Sequence, residues 1–377
     1  MFNAYNAFAD KTQPKPHVRY NQFGGTLGGP IIKNKTFIFG SFQGTVIRNA
    51  VLKNESGVPT AFLSGDFSSL ATPIIDPTTG SPFPGNIIPD DRITGASKYF
   101  LPLFVTPNSP GNRYIFASSA PDKTWEYLTR IDHQITDRQR IYGRYEYLRQ
   151  PTIQIGYSAD PSTFAPNTLH QHNFGANYTW TISNNTLFTA TAGFLKTRDD
   201  YSNPALGKQN DSELAGIQGI PTAGREEWIG PPDINVNGYE GISFAGGWGV
   251  PGAQWNSQYN GKASLSHIHR AHIISTGVEY GDRHAFGGHG SASARGTFGF
   301  NGQYTGNGFA DYLLGLTNST NLNDALKTFG QDRAPYIGVY GADTWKIRQN
   351  LTLDLGVRYE RYLSQHCYLN LCSVWNP

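Results

Sequence analysis

No feature constrains this chain more than the stretch Leu351-Thr352-Leu353-Asp354-Leu355-Gly356-Val357-Arg358-Tyr359-Glu360. Leu351, Leu353, Leu355, Val357 and Tyr359 alternate with polar or small residues without a break. In a β-strand successive side chains point to opposite faces, so this pattern gives a strand with one apolar and one polar face. Its length suits a tilted strand crossing a hydrocarbon layer, which needs about 9–11 residues. The design recurs. Trp125, Tyr127, Thr129 and Ile131 alternate with Glu126, Leu128, Arg130 and Asp132, and Ile141, Gly143, Tyr145 and Tyr147 with Tyr142, Arg144 and Glu146. Phe174, Ala176, Tyr178 and Trp180 repeat it, as do Ile274, Thr276, Val278 and Tyr280. Aromatics gather near the ends of these runs, where a membrane interface would hold them. A soluble antiparallel sandwich alternates as well, so the pattern by itself fixes the sheet and not its surroundings.

Connection lengths separate the two. Short polar turns are expected at Lys33-Asn34-Lys35, Asp137-Arg138, Asn184-Asn185, His269-Arg270 and Arg348-Gln349-Asn350. Between them lie long stretches without period, at residues 48–123, 151–168 and 199–254. Long structureless loops count against a compact soluble domain. Short turns on one side and long loops on the other are what an outer-membrane barrel uses, with the long loops extracellular. Closure into a barrel leaves no sheet edge facing lipid.

Composition agrees. Aromatic residues make up 13% of the 377, with 43 glycines, and only 15% are charged. Disordered chains lack aromatics, and Gly-rich turns with aromatic strands suit a β protein. A net charge of +2 offers no polycation for nucleic acid. The negative mean hydropathy excludes no barrel, because only every second strand residue meets lipid. No run of about 18 apolar residues suggests a membrane helix.

Four segments, in order along the chain, carry a family resemblance. They are Asn21-Gln22-Phe23-Gly24-Gly25-Thr26-Leu27-Gly28-Gly29-Pro30-Ile31 with Lys33-Asn34-Lys35-Thr36-Phe37-Ile38-Phe39-Gly40; Pro82-Phe83-Pro84-Gly85-Asn86-Ile87-Ile88-Pro89 with Arg92; Thr305-Gly306-Asn307-Gly308-Phe309-Ala310-Asp311-Tyr312-Leu313-Leu314-Gly315; and Asp343-Thr344-Trp345-Lys346 leading into the alternating strand. Together they resemble the barrel of Oar-like TonB-dependent receptors. The resemblance implies an outer-membrane transporter. In such receptors a ligand binds the extracellular loops and a plug domain, and TonB, energised from the inner membrane, displaces the plug. Family members begin with a signal peptide, a carboxypeptidase-regulatory-like domain and a plug. None is visible here, so the expectation is a partial barrel domain over residues 1–377, with roughly a dozen strands of a barrel of about 22. Such a segment expressed by itself should aggregate at its open edges. The partners implied are outer-membrane lipid, TonB through a plug absent from this sequence, and an extracellular ligand of unknown class.

The remaining signals are weaker. The run Gly24-Gly25-Thr26-Leu27-Gly28-Gly29 lacks the Lys-Ser/Thr ending of a phosphate loop and reads as a Gly-rich strand near a closely approaching plug. The pairs His170/His172 and His267/His269 could point two rings one way, but no Cys or carboxylate follows at matching spacing. His267 and His269 read as turn residues, with His272 beyond them, while His284 and His289 read as residues of a surface loop. Asp76-Pro77-Thr78-Thr79-Gly80 and Pro89-Asp90-Asp91-Arg92 lack calcium-loop spacing and read as turns. Cys367 and Cys372 read as a possible extracellular disulfide, two ligands short of a zinc site. No catalytic system, metal site or cofactor is expected. The rival readings are a structural or adhesive surface protein that uses its loops for contact, and a secreted all-β carbohydrate-active domain. Trp228 and Trp248 in the loops do not choose among sugars, peptides and metal chelates.

Overall fold

Alternating segments joined by tight turns can satisfy their backbone groups only by pairing with one another, and they do so here in strict chain order. The computed structural model describes residues 18–220, 229–244, 252–289, 295–322, 328–363 and 366–367. We number its long strands β1 (Val18–Ile32), β2 (Thr36–Ser56), β3 (Arg113–Thr136), β4 (Gln139–Gln154), β5 (Ala165–Ser183), β6 (Thr186–Tyr201), β7 (Gly252–His269), β8 (His272–His289), β9 (Thr328–Arg348) and β10 (Leu351–Tyr362). Each is antiparallel to the next in a single sheet. A two-residue strand, His366–Cys367, pairs beyond β10 with Asp332 and Arg333 of β9. The sheet therefore has ten long strands and one short one among the described residues, close to the dozen expected. No described helix is long and apolar enough to cross a membrane.

All five turns fall where the sequence puts them, within a residue. Asn34 and Arg270 take the left-handed conformation in theirs, at φ 58° and 56°. Because the strands run consecutively and antiparallel, every short turn lies at one rim and every long connection at the other. The long connections are residues 57–112, 155–164, 202–251 and 290–327. The stretch 48–123 is shorter as a loop than expected. β2 and β3 stay paired from Thr36↔His133 up to Ser56↔Arg113. Above the lipid nothing selects alternate apolar residues, so those strand ends carry no readable period.

The register reveals the tilt. One row of direct partners runs Thr36, His133, Ile141, Tyr178, Ala190, Ala263, Val278, Val339, Tyr359. It begins at the first residue of β2 and ends eight residues past the start of β10, after eight strand-to-strand steps. A slip of about one 3.3 Å residue per 4.8 Å step is a tilt of about 35°, the value at which barrels close.

The faces sort by charge. Leu353, Leu355 and Val357 share a face with Tyr145 and Tyr178, and Asp354, Arg358, Arg144 and Arg130 share the other. The apolar face is open: Leu27 is 83% exposed, Val357 75% and Leu355 54%. This is the division of an outer barrel wall from a lumen.

The buried core is elsewhere. Val58, Phe62, Phe67, Ile74, Phe83, Ile88, Phe100 and Phe104 come from the first long connection, Tyr157 from the second, Ile234, Val236, Ile242 and Phe244 from the third, and Phe300, Phe309, Tyr312 and Leu313 from the fourth. The four connections fold together into one apolar body at the loop rim, which the reading of them as structureless did not anticipate.

Candidate functional site

The body stands at the loop rim, so the candidate site comprises the body and the charged face of the sheet. Two of the resemblance segments build its centre. In the first, Gly85 and Asn86 both take left-handed backbone, at φ 63° and 60°. Asn86 closes the turn with its side chain: Oδ1 accepts from Ile74 N at 2.7 Å and Nδ2 donates to Phe67 O at 2.5 Å. Phe83 and Ile88 on either side are thereby driven into the core. Arg92 donates through both terminal nitrogens to Asp76, at 3.2 and 3.1 Å, and Thr78 N adds a bond of 2.9 Å. The guanidinium, with the Thr78 bonds, holds the Asp76 carboxyl down to about 2. That carboxylate is engaged in turn and ion-pair bonds.

The second segment forms the helix α2 (Gly308–Leu313), in which every residue is buried. Asn307 caps it, accepting from Phe309 N at 2.9 Å and Ala310 N at 3.2 Å. Asp311, fully buried, accepts from Thr305 N and Thr305 Oγ1 at 2.8 and 2.6 Å and from Tyr304 N at 3.3 Å. The helix α1 (Gly95–Phe100) docks on it by a reciprocal pair. Ser97 Oγ donates to Tyr312 O at 2.6 Å, and Tyr312 Oη donates to Ser97 O at 2.7 Å. Thr94 N donates to Leu313 O at 3.0 Å and Ile75 N to Thr305 O at 2.9 Å. Segments more than 200 residues apart in sequence are thus one packing unit. A small apolar cavity of about 140 Å³ lies between α1, Ile234, Phe298 and Tyr312.

At the seam between body and sheet, Glu240 N donates to Ser56 O at 2.7 Å. Burial, and then the neighbouring Glu55 carboxyl, push the Glu240 carboxyl up to about 7. Deeper in the body, burial raises Asp233 despite the opposing charge of Arg295.

The lumen wall is charged and cross-linked. Arg358 donates to Glu279 at 2.9 Å and also reaches Glu360, and Tyr336 Oη donates to Glu279 at 3.1 Å. Asp132 accepts from Arg130 and Arg140, each at 2.7 Å, with the Arg130 guanidinium 4.0 Å over the Tyr142 ring. A groove of about 640 Å³ along β1–β4 is lined by Gln22, Thr26, Ser41, Gln43, Glu126 and Glu146, and no basic side chain lines it. The glycine run lies in β1 on this wall. A Cβ at Gly24 would stand 2.3 Å from Phe42 O, so the close approach comes from the adjacent strand.

The histidines are dispersed. His267 and His269 stack with centroids 6.3 Å apart at the turn end of β7. His267 is tied to Thr186 Oγ1 at 2.8 Å, and His272 to Asp343 at 2.7 Å. His170 and His172 contact Tyr147 Oη and Tyr145 Oη at 2.8 and 2.7 Å. His284 and His289 are strand residues of β8, not loop residues. Pairing with both neighbouring strands continues to His289, and His284 lies 3.1 Å from Asp282. Among the described residues no cluster of three His, Cys, Asp or Glu side chains could hold a metal. Cys367 is described only as a backbone pairing with Asp332, and Cys372, Trp228 and Trp248 lie outside the described residues. The interlocked loop core and the Glu55–Glu240 seam went unforeseen, because their residues follow no period.

Comparison with known proteins gives a family match over residues 1–376, to a model described as outer membrane beta barrel domain. No curated protein matches. The outer membrane transporter YddB of Escherichia coli is 10% identical with a TM-score of 0.49, over 93% of this chain and 35% of that one. The siderophore receptor PirA of Acinetobacter baumannii is 14% identical with a TM-score of 0.41, over 92% and 37%. A variant of the ferric enterobactin receptor PfeA of Pseudomonas aeruginosa is 10% identical with a TM-score of 0.39, over 94% and 41%. The chain spans less than half the length of each of these.

Proposed function

The chain belongs to the outer membrane beta barrel domain family, which places it in the cell outer membrane, and from that premise we propose that its protein is a receptor and transporter that takes a ligand inward through the barrel. The observation that carries this reading is the interlocked loop body standing over a polar, charge-lined lumen. A purely structural barrel needs no acidic groove on its inner wall. A ligand arriving from outside would meet the loop body first and the wall beside Glu126 and Glu146 next. The resemblance segments support the finer assignment to Oar-like TonB-dependent receptors, in which a plug and TonB complete the machine. In this reading the protein makes and breaks no covalent bond.

The alternative is an adhesive surface barrel, whose loops are the functional end and whose lumen is idle. Cells with and without the gene can be compared for accumulation of labelled metal chelates, peptides and oligosaccharides, each with and without an uncoupler of the inner membrane. Transport predicts that one class stops accumulating in the deletion strain and equally under the uncoupler. Unchanged accumulation of every class, with loss of surface attachment, would establish the adhesive alternative.

A further inference from the structure

The apolar face of the sheet carries a cluster of three cations at its loop end, between two tryptophans. At the loop end of β4, β5 and β6, direct cross-strand partners on that face form two adjacent rows. Arg149, His170 and Arg198 make one, and Tyr147, His172 and Lys196 make the other. Trp125 stands beside Arg149 at one end of the first row and Trp255 beside Arg198 at the other. Arg149 lies ten residues past the start of β4, and Lys196 ten past the start of β6. At about 3.3 Å per residue and a tilt of about 35°, both stand about 27 Å above the turn rim, at the top of an apolar band about 25 Å tall.

Arg149, Lys196 and Arg198 are all exposed. Arg149 and Lys196 have no ion-pair partner among the described residues; Arg198 pairs with Asp200 at 2.8 Å and lies 6.0 Å over Trp255. Elsewhere at this level on the face, Asp282, ten residues past the start of β8, pairs with Arg333 at 2.7 Å and with His284 at 3.1 Å, Arg361 of β10 is a single cation, and Arg19 and Arg48 are direct partners on β1 and β2. Arg149 on β4 faces Lys196 and Arg198 on β6 across β5, and an anion lying among the three would relieve the repulsion of their like charges. The rings of His170 and His172, held by Tyr147 and Tyr145, keep the three cations spaced around a shared floor.

We propose that this patch on β4–β6 binds the phosphate-bearing headgroup of an anionic lipid in the loop-side leaflet. Arg supplies a planar fork of donors and Lys a point charge, the pair of side chains that phosphate oxygens take best. The flanking tryptophans sit where indole rings favour the membrane interface. The proposal rests on the reading that this face meets lipid, and the test separates the two.

Protein assembled in its own cell is moved into phosphatidylcholine vesicles holding a trace of spin-labelled phosphatidic acid or spin-labelled phosphatidylcholine. A motionally restricted spectral component with either label reports lipid contact as such; its absence with both would overturn the lipid-facing reading and the proposal with it. The patch predicts that phosphatidic acid is enriched over phosphatidylcholine, and that high salt abolishes the enrichment in the unaltered protein. Neutralising Arg149→Gln, Lys196→Gln and Arg198→Gln should each lower it by up to about fivefold, the ratio for about 1 kcal/mol per surface cation. Arg144→Gln, one face away in the lumen, should leave it unchanged. Equal binding of the two labels, an enrichment indifferent to salt and to the three neutralisations, or an equal loss in Arg144→Gln would refute the proposal while leaving the lipid contact standing.

Discussion

At the scale of single residues, the side of the sheet decides what a substitution costs. Leu355 lies on the open apolar face and Thr352 on the lumen face of the same strand. A charged side chain on the lipid face near mid-membrane costs about 2–4 kcal/mol. Leu355→Arg should therefore lower the yield of assembled, heat-modifiable barrel, whereas Thr352→Arg should assemble close to normally. Equal yields would contradict the facing. Glu240 makes a second case, with pH as the lever. Its carboxyl is held neutral in the folded protein up to about 7, above its ordinary value of 4.5. A raised acid means that the folded state binds more protons, so the seam loses stability as pH rises between those two values. Hydrogen exchange at the Glu240 amide, which donates to Ser56 O, should show protection falling across that window after correction for intrinsic rate. Glu240→Gln should flatten the profile. The same slope in the variant would assign the effect to another group.

At the scale of elements, the loop body and the sheet are separable devices. Tyr312 Oη donates to Ser97 O in a fully buried setting, and Tyr312→Phe would remove that bond while leaving the carbonyl its bond from Leu101 N, at a cost of about 0.5–1.5 kcal/mol. The loss falls on the contact between α1 and α2. Limited proteolysis should then cut faster within residues 57–112 and 295–322, while the heat-modifiable shift of the barrel stays unchanged. Loss of the shift would mean that the loops are needed to hold the sheet. This separation also explains what the sequence disclosed. The strand Leu351–Tyr362 was legible because lipid on one side and a lumen on the other force alternate residues apart. Phe83, Ile88, Phe309 and Tyr312 were legible as family signatures but not as a core. Their burial depends on left-handed turns at Gly85 and Asn86 and on partners from a distant connection. No local period records such an arrangement. The upper ends of β2 and β3 were hidden for a related reason, since they pair well above the membrane, where neither face is held to apolar residues.

At the scale of the whole molecule, the central claim is a tilted sheet in the outer membrane with its loop body outside and its five turns inside. The near-constant slip along the register, the open apolar face and the separation of short from long connections all converge on that orientation. The part of the account that concerns the ligand was not legible, because the groove beside Glu126 and Glu146 is polar without a geometry specific to one chemistry. Orientation can be measured directly. Thr79→Cys marks an exposed turn of the loop body, and Asn184→Cys marks the β5–β6 turn at the opposite rim. Intact cells are treated with a membrane-impermeant maleimide, and the unaltered protein sets the background. With the loops outside, Thr79→Cys is labelled in intact cells, and Asn184→Cys is labelled only after the outer membrane is permeabilised. Labelling of Asn184→Cys in intact cells, or protection of Thr79→Cys there, would contradict it.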